Sequence, residues 1–246
     1  MSGALELVIV GPGRLGRSAE MLLSGTKTTL VLVGRGASIP SSPLTWLTVP
    51  DSAIAGAAAA VPRGGIVLHA SGATGLDPLR PHPVVGSLHP LMTFPGPEIS
   101  MPTDTEVPAA VAGDPDAVEA AKALALLLGF TPFEVRGDRA LYHAAAVMAG
   151  NFTTVLLGEA SRVLSQAGVP EDQAPALLAP LALESIRNAA AAGPGPALTG
   201  PVARGDEDVI ARHRAALADG PQITRQAYEA LLLAARNLRE RTKTGE

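Results

Sequence analysis

The first half of the chain alternates short apolar runs, rich in β-branched residues, with stretches of helical periodicity. Such alternation predicts an α/β fold in which helices cover both faces of a parallel sheet. The predicted strands are residues 5–10, 29–33, 44–49, 66–69, 84–88, 109–112 and 131–135. The predicted helices of this half are residues 15–24, 53–60 and 116–128.

The second half loses the β-branched runs after Arg136-Gly137-Asp138 and consists of longer helical segments. The predicted helices are residues 141–166, 174–191, 206–218 and 223–238, with a Pro- and Gly-rich loop over 193–201. The chain is therefore expected to divide into an α/β domain over residues 1–138 and a smaller all-α domain over 139–238. Residues 239–246 are polar, which predicts a frayed tail.

Composition removes several classes of protein. A hydrophobic fraction of 47% is enough for a full core, which excludes disorder for most of the chain. The chain has no Cys, so disulfides, thiolate zinc sites and Cys nucleophiles are excluded. No pair of histidines has a metal-ligand spacing, and we predict no metal. The formal net charge of −4 offers no general attraction to nucleic acid or to anionic lipid.

The sequence also carries an expectation about location. The N-terminal residues lack the basic segment of a signal peptide. Pro, Gly or charged residues interrupt the alanine-rich runs, so none is expected to reach the roughly 20 apolar residues of a membrane span. We therefore expect a cytoplasmic protein without a membrane partner.

A GxGxxG motif, Gly11-Pro12-Gly13-Arg14-Leu15-Gly16, lies between the first predicted strand and the first predicted helix. With the strand at 29–33 it forms a βαβ unit of about 30 residues, the context in which this motif binds a dinucleotide. Gly11 permits the tight turn, Gly13 lets the backbone approach a pyrophosphate at the helix N-terminus, and Gly16 allows close packing. The motif predicts a Rossmann-type domain; a glycine-rich turn without a ligand is the alternative.

The end of the second strand selects the cofactor. NAD sites place an acidic residue there for the ribose hydroxyls, but residues 21–50 contain none. Arg35 lies there instead, and with Ser38 or Arg14 it can pair with a 2′-phosphate. An ordinary solvated loop residue is the alternative for Arg35. We predict NADP(H) as the cofactor.

Three further residues complete the predicted cofactor site. Pro50 and Asp51 follow the third strand and are expected to close over the adenosine, although Asp51 can equally cap the next helix. Ser71 follows the fourth strand at the same predicted edge of the sheet.

Histidines near strand ends are the first candidates for chemistry. His69 and His89 lie near the carboxyl ends of predicted strands, where ligands bind in open α/β sheets. A histidine there can donate a proton or orient a carbonyl group, or it can be structural and bonded to the backbone. Both alternatives stay open for each histidine, and we take His89 as a candidate catalytic residue.

The helical half adds further candidates. His143, Asn151 and Thr154 fall within an arc of roughly 80° on one helix, which makes His143 and Asn151 candidate catalytic residues. A satisfied core amide is the alternative for Asn151, because an unpaired buried amide costs about 1–3 kcal/mol. Thr199 and Arg204 lie in a compact polar loop, where Arg204 can hold a substrate carboxylate. Asp206 in the same loop can cap the following helix.

These motifs resemble those of Rossmann-like proteins that carry the helical domain called DUF2520, within the larger group of 6-phosphogluconate-dehydrogenase-like reductases. The resemblance spans nearly the whole chain and implies a fold and a cofactor, whereas it leaves the substrate open. The matching stretches are residues 8–16, 67–72, 86–91, 142–152 and 197–206.

The resemblance extends to pyrroline-carboxylate reductases, prephenate dehydrogenases, β-hydroxyacid dehydrogenases and ketopantoate reductases. In the last two groups a Lys one helical turn before an Asn acts as the acid. If Asn151 matches that Asn, Val147 occupies the Lys position. The departure shifts the expected proton donor to His143 or His89.

The expected function is an NADPH-dependent reductase of a small oxo acid, with 2-dehydropantoate as the named substrate. One alternative is the reduction of a cyclic imine, as in pyrroline-carboxylate reductases. Another is a non-catalytic NADP(H)-binding sensor or regulatory protein. The Ala- and Leu-rich helical half has more apolar surface than its helices can bury alone, so we expect a homodimer through this half.

Overall fold

The computed structural model of the protein describes residues 5–94 and 106–245. The chain divides into two compact units, Met1–Asn151 and Phe152–Glu246. The described strands of the first unit are β1 (Leu5–Val10), β2 (Thr28–Val33), β3 (Leu44–Leu47), β4 (Ile66–His69), β5 (Val85–Pro90), β6 (Val107–Gly113) and β7 (Phe130–Glu134). They form one sheet in the order β2-β1-β3-β4-β5-β6-β7.

The sheet is parallel from β2 to β5 and reverses once. Strand β6 runs antiparallel to β5, and β7 runs parallel to β6. The predicted parallel sheet is therefore wrong at this junction. The connecting sequence contains Pro95, Pro97 and Pro102 and no helical pattern, and an antiparallel neighbour needs no crossover helix.

Helices cover both faces of the sheet, as the sequence predicts. The helices of this unit are α1 (Arg14–Leu23), α2 (Ile54–Ala60), α3 (Pro115–Leu127) and α4 (Arg139–Ala149). Because neighbouring strand residues point to opposite faces, Leu7 and Ile9 of β1 join a core with α1 and α3. Val8 and Val10 join a second core with α2.

The second unit is all-α, with two helices more than the sequence pattern predicts. Its helices are α5, which begins at the unit boundary (Asn151–Gln166), α6 (Ala174–Ala192), α7 (Pro194–Ala197), α8 (Gly200–Arg204), α9 (Glu207–Leu217) and α10 (Gln222–Thr244). The short helices α7 and α8 lie in the predicted Pro- and Gly-rich loop. Pro194 and Pro201 lie in their first turns, where the missing N–H of proline costs no helical hydrogen bond.

The boundary between the units differs from the predicted one. The sequence changes character at residues 138 and 139, but α4 belongs to the first unit. Hydrogen bonds hold the start of α4 to the first unit, because the Arg139 guanidinium donates to the Ser71 carbonyl oxygen and to the Ser87 hydroxyl. Composition marks where strands give way to helices, whereas packing decides which helix belongs to which unit.

The predicted frayed tail is helical as far as Thr244, so the frayed tail is wrong over residues 239–244. Arg239 Nη1 donates to the Val202 carbonyl oxygen at 3.1 Å, and Lys243 pairs with Glu240 at 3.3 Å. Basic residues in the last turn also interact favourably with the helix carboxyl end.

The helical run Arg139–Gln166 is, by length and composition alone, long and apolar enough to cross a membrane. Gly150 interrupts this run, as the sequence predicts, although residues 140–158 contain no Asp, Glu, Lys or Arg. A core helix of a soluble protein can meet the same criteria.

Candidate functional site

The glycine turn after β1 leaves the first turn of α1 free to bind an anion. Gly11 has a φ of +113°, and a Cβ there would lie 2.8 Å from the Thr48 carbonyl oxygen. A Cβ at Gly16 would collide with the Gly11 carbonyl oxygen, so α1 approaches the turn only with glycine. Gly13 is the N-cap and has open space around it, and no described side chain caps the helix. The unsatisfied N–H groups of the first turn are therefore available to a phosphate.

A cavity of about 730 Å³ lies beside this turn, where β1, β2 and β3 end. The strand order reverses between β1 and β3, which is the switch point where open α/β sheets bind ligands. The predicted cofactor residues that line the cavity are Gly11, Pro12, Gly13, Arg35 and Pro50. Arg14 is exposed at the start of α1, whereas the Leu15 side chain packs against the core of the sheet.

Arg35 contributes a free positive charge to this cavity. It follows β2 in an exposed turn, and no hydrogen bond or ion pair engages its guanidinium within the described part of the chain. A planar guanidinium with unused donors suits a phosphate ester. The residue is thus available for the 2′-phosphate role that the sequence predicts.

Asp51 and Ser71 are joined by a hydrogen bond rather than acting separately. The Ser71 hydroxyl donates to Asp51 Oδ2 at 2.8 Å and accepts from the backbone N–H groups of Ala73 and Thr74. Pro50, not Asp51, occupies the cap position of the 3₁₀ turn Asp51–Ala53. The helix-cap alternative for Asp51 is therefore wrong, and the pair ties the loop after β3 to the loop after β4.

His69 is structural. It is fully buried, its Nε2–H donates to the Gly75 carbonyl oxygen at 3.1 Å, and its Nδ1 accepts from the Ser71 N–H at 3.2 Å. Burial lowers the pKa of His69 to about 4, with the Arg139 charge acting in the same direction. Both ring nitrogens are occupied by backbone groups, so this ring shapes the loop after β4.

His89 has a different environment. Its Nδ1 lies 2.7 Å from the Tyr142 hydroxyl, and its ring centroid lies 6.1 Å from that of His143. A Cβ at Gly72 would lie 2.6 Å from His143 Cδ2 and 3.0 Å from His89 Nε2, so glycine is required beside both rings. Burial, followed by His143 and Arg139, lowers the pKa of His89 to about 4. The structure therefore brings the two predicted candidates His89 and His143 together.

Arg139 and Tyr142 are the residues that sequence reasoning missed. The Arg139 guanidinium donates to the carbonyl oxygens of Thr74 and Ser71 and to the Ser87 hydroxyl, at 3.0, 2.6 and 2.9 Å. It thereby holds the start of α4 against β5 and the loop after β4. A signal was present, because residues 139, 142 and 143 have i, i+3, i+4 spacing and share one helix face.

The remaining candidates lie apart from this cluster or in the second unit. Asn151 is exposed and begins α5, eight positions after His143 and beyond the end of α4 at Ala149. The exposure removes the core-amide alternative, and its catalytic role stays a prediction. Arg204 Nε donates to Asp206 Oδ2 at 2.7 Å, and Thr199 is the exposed N-cap residue of α8. A substrate carboxylate at Arg204 would therefore share the guanidinium with Asp206.

The second unit has an apolar cavity of about 380 Å³ with two polar pairs in its lining. Thr224 donates to Glu159 at 2.6 Å, and His213 Nδ1 lies 2.9 Å from the Tyr228 hydroxyl. Among the residues that the structure describes, no group of three His, Asp or Glu side chains is placed to hold a metal ion.

The fold and the glycine turn define a class, a two-unit protein with a Rossmann-like α/β unit and a helical second unit. Residues 107–235, more than half of the 246-residue chain, match the family described as "Domain of unknown function (DUF2520)". The chain belongs to this family. No curated protein sequence matches it.

Solved structures extend the likeness to the whole fold. A protein from Thermotoga maritima is 22% identical with a TM-score of 0.77, over 96% of this chain and 99% of that one. A protein from Bacteroides fragilis, proposed to be an NADP oxidoreductase, is 22% identical with a TM-score of 0.75, over the same shares. A 1-pyrroline-5-carboxylate reductase from Streptococcus pyogenes is 12% identical with a TM-score of 0.64, over 96% and 100%. At these identities the likeness establishes the fold.

Proposed function

We propose that this protein is an NADPH-dependent reductase of a small oxo acid. The observation that carries the proposal is that the first unit has both a glycine turn with a large cavity beside it and a cluster of polar side chains near the carboxyl ends of the same sheet. The cavity lies at the ends of β1, β2 and β3, and His89 lies near the end of β5. In open α/β sheets a dinucleotide usually binds along this edge, at the carboxyl ends of the strands.

The cofactor part of the proposal rests on charge and shape. Glycine at 16 lets α1 present its first turn to a pyrophosphate, and Arg35 offers a free guanidinium to a 2′-phosphate. No acidic residue competes in residues 21–50. The Bacteroides fragilis protein with the same fold is itself proposed to use NADP, which supports NADPH over NADH.

The chain's own residues would bind and orient the substrate. When bound, the nicotinamide would supply the hydride. His89 and His143 offer hydrogen bonds to the oxygen of the carbonyl group, and Asn151 would orient a neighbouring hydroxyl group. A role of Arg204 and Thr199 in holding a substrate carboxylate stays a prediction from the sequence. Within this class we name 2-dehydropantoate as the first substrate to test, because it needs a cationic anchor, a ketone donor and an apolar wall.

Reduction of a cyclic imine is the second candidate, and one observation favours it. If Asn151 matches the Asn of the Lys-dependent groups, Val147 holds the position of the usual acid, and burial lowers the pKa of His89 to about 4, so neither residue supplies an acidic proton at neutral pH. A protonated imine brings its own proton and needs no such donor. The fold is also that of a pyrroline-carboxylate reductase.

The test is NADPH oxidation by the purified protein with 2-dehydropantoate, other small 2-oxo acids and cyclic imines. Stimulation by an oxo acid supports the proposal, and replacement of both His89 and His143 by Ala should then lower kcat by about 10²–10⁴-fold. Stimulation by imines alone, with little loss in the double variant, would replace the oxo acid by the imine. Tight NADPH binding without turnover of any compound would indicate the sensor or regulatory role instead.

Assembly as a homodimer through the second unit is part of the same proposal. Several large apolar side chains there are more than half exposed: Phe152, Val155, Leu177, Leu181, Leu183, Ile186, Ile223 and Leu233. A second copy of the chain would cover this surface by two-fold symmetry. A cytoplasmic location and the absence of a nucleic-acid or membrane partner stay predictions from the sequence.

A further inference from the structure

The contact between Tyr142 and His89 joins helix α4 to the end of β5. The Tyr142 hydroxyl lies 2.7 Å from His89 Nδ1, and the two rings are nearly perpendicular, at 88°. The Tyr142 ring also makes an edge contact with Phe133, at 6.3 Å between centroids. The hydroxyl group therefore has a defined position relative to one nitrogen of the histidine.

The direction of this hydrogen bond follows from the protons available. A tyrosine hydroxyl has one proton, and a neutral imidazole has one N–H and one acceptor nitrogen. If His89 Nδ1–H donated, the proton of the partly buried Tyr142 hydroxyl would be left to solvent, because no other described residue bonds that hydroxyl. If Tyr142 donates to His89 Nδ1, the hydroxyl proton is satisfied within the protein by this one hydrogen bond. Burial also raises the pKa of Tyr142, so the hydroxyl keeps its proton at neutral pH.

We propose that Tyr142 is a positioning residue that donates to His89 Nδ1 and thereby holds the ring as the Nε2–H tautomer, the hydrogen-bond donor to the substrate carbonyl oxygen. The inference rests on the proposed function, because it assigns a role in that reaction. His89 Nε2 has no hydrogen-bond partner within the described ranges 5–94 and 106–245, so its proton is available to a ligand.

The surroundings of His89 favour a neutral donor. The charged and titratable groups that act on it are His143 and Arg139 on α4, Asp51 after β3 and His69 on β4. Burial, His143 and Arg139 lower the pKa of His89 and together outweigh Asp51. The neutral ring would stabilise the developing alkoxide by a hydrogen bond and keep its own proton. Water would then protonate the product oxygen.

A second Tyr–His pair in the chain provides a matched control. In the helical unit, His213 Nδ1 lies 2.9 Å from the Tyr228 hydroxyl, with centroids 6.1 Å apart and an interplanar angle of 83°. Tyr142→Phe and Tyr228→Phe therefore remove the same hydroxyl from two similar contacts. Phe keeps the ring and its packing in both.

The decisive measurement is ¹⁵N–¹H NMR of the histidine rings in the full-length protein at pH 7. His89 signals are assigned by their loss in His89→Gln. We expect the Nε2–H tautomer in the wild type and in Tyr228→Phe, and a mixture with the Nδ1–H tautomer in Tyr142→Phe. An Nδ1–H ring in the wild type, or an unchanged His89 spectrum in Tyr142→Phe, would overturn the assignment.

Kinetics test the role in the reaction. With an oxo acid that the wild type reduces, Tyr142→Phe should lower kcat by about 10- to 100-fold and leave KM for NADPH unchanged, as expected for a lost transition-state hydrogen bond. A kcat within about twofold of the wild type would overturn this role. A wild type that reduces no compound contradicts the proposed function, whereas the NMR result decides the Tyr142–His89 contact without any substrate.

Discussion

At the scale of single residues, His69 and His89 occupy similar positions in the sheet but differ in their hydrogen-bond partners. His69 and His89 both lie near the ends of neighbouring strands, and burial lowers both pKa values to about 4. Both ring nitrogens of His69 are hydrogen-bonded to backbone groups, whereas His89 is hydrogen-bonded through one nitrogen to the Tyr142 hydroxyl. The partners of the second nitrogen, rather than burial or pKa, distinguish a structural histidine from a candidate site residue.

The free guanidinium of Arg35 leads to a prediction about cofactor choice. Arg35→Asp should weaken NADPH binding by about 10- to 100-fold, since a hydrogen bond to a charged group contributes about 1.5–3 kcal/mol. NADH lacks the 2′-phosphate, so its affinity should change little. Fluorescence titration of both cofactors measures the ratio. Arg63→Asp, in an exposed turn before β4, is the control for net charge. Equal affinities of the wild type for NADPH and NADH would contradict the assignment.

His69 leads to a prediction about acid stability. Its pKa is about 4 in the folded protein against an ordinary 6.5, so the unfolded state binds more protons between these values. Stability should be intact above about pH 6.5 and fall as the pH drops toward 4, by up to about 3 kcal/mol from this residue. Urea unfolding at pH 7.5 and pH 5 measures the loss, which should be smaller in His69→Gln. Exposed His213→Gln is the control, and an identical pH slope in wild type and His69→Gln would reject the explanation.

At the scale of elements, the chain shows how packing extends or reassigns what local sequence predicts. The segment after Leu238 is polar, which predicts a frayed end, but α10 continues through it to Thr244. A Cβ at Gly195 would collide with the Thr242 side chain, so the end of α10 lies directly against α7. Helix α4 similarly looks like part of the helical domain but belongs to the first unit through Arg139.

The end of α10 gives a prediction about the stability of the helical unit. A chain that ends at Leu238 loses the hydrogen bond from Arg239 to Val202 and the contact of Thr242 with Gly195. We expect its Tm to fall by about 2–8 °C, for a loss of about 1–2 kcal/mol. A chain that ends at Thr244 should keep the full-length Tm. Equal Tm values for the two shortened chains would mean that residues 239–244 add no stability.

At the scale of the whole molecule, the most prominent feature is the exposed apolar surface of the second unit. Leu177, Leu181, Ile223 and Leu233 are each at least 60% exposed, although their helices are regular. Large exposed apolar surfaces are rare in monomeric soluble proteins. The run Arg139–Gln166, which begins in the first unit, is also apolar enough to cross a membrane by length and composition alone.

The homodimer is tested by mass. Light scattering at micromolar concentration should give twice the mass of one chain, and Leu181→Asp should shift the protein toward the monomer by burying an unpaired charge in the interface. Leu126→Asp is the matched control, because Leu126 is a similarly exposed leucine on α3 of the first unit. A wild-type monomer, or a dimer lost equally in both variants, would contradict assembly through the helical unit.

The sequence by itself determined the parts of this protein that depend on local patterns. Short β-branched runs gave strands within a few residues of their observed bounds, and the strand at 66–69 matches β4 fully. The motif at residues 11–16 also required no tertiary knowledge, because Gly11 needs a positive φ and Gly16 cannot accept a Cβ beside the turn. Periodicity and backbone sterics act over a few residues, so one sequence is enough to predict them.

Only the tertiary structure decided which side chains meet. Tyr142 and His89 are separated by 53 positions, and Arg139 reaches Ser71 across 68, so no local pattern links them. The reversal of β6 and the assignment of α4 likewise depend on the packing of distant segments. Strand ends predicted that His69 and His89 would lie at one edge of the sheet. The backbone groups that occupy His69, and the hydroxyl that holds His89, become visible only when loops and helices from other parts of the chain pack around them.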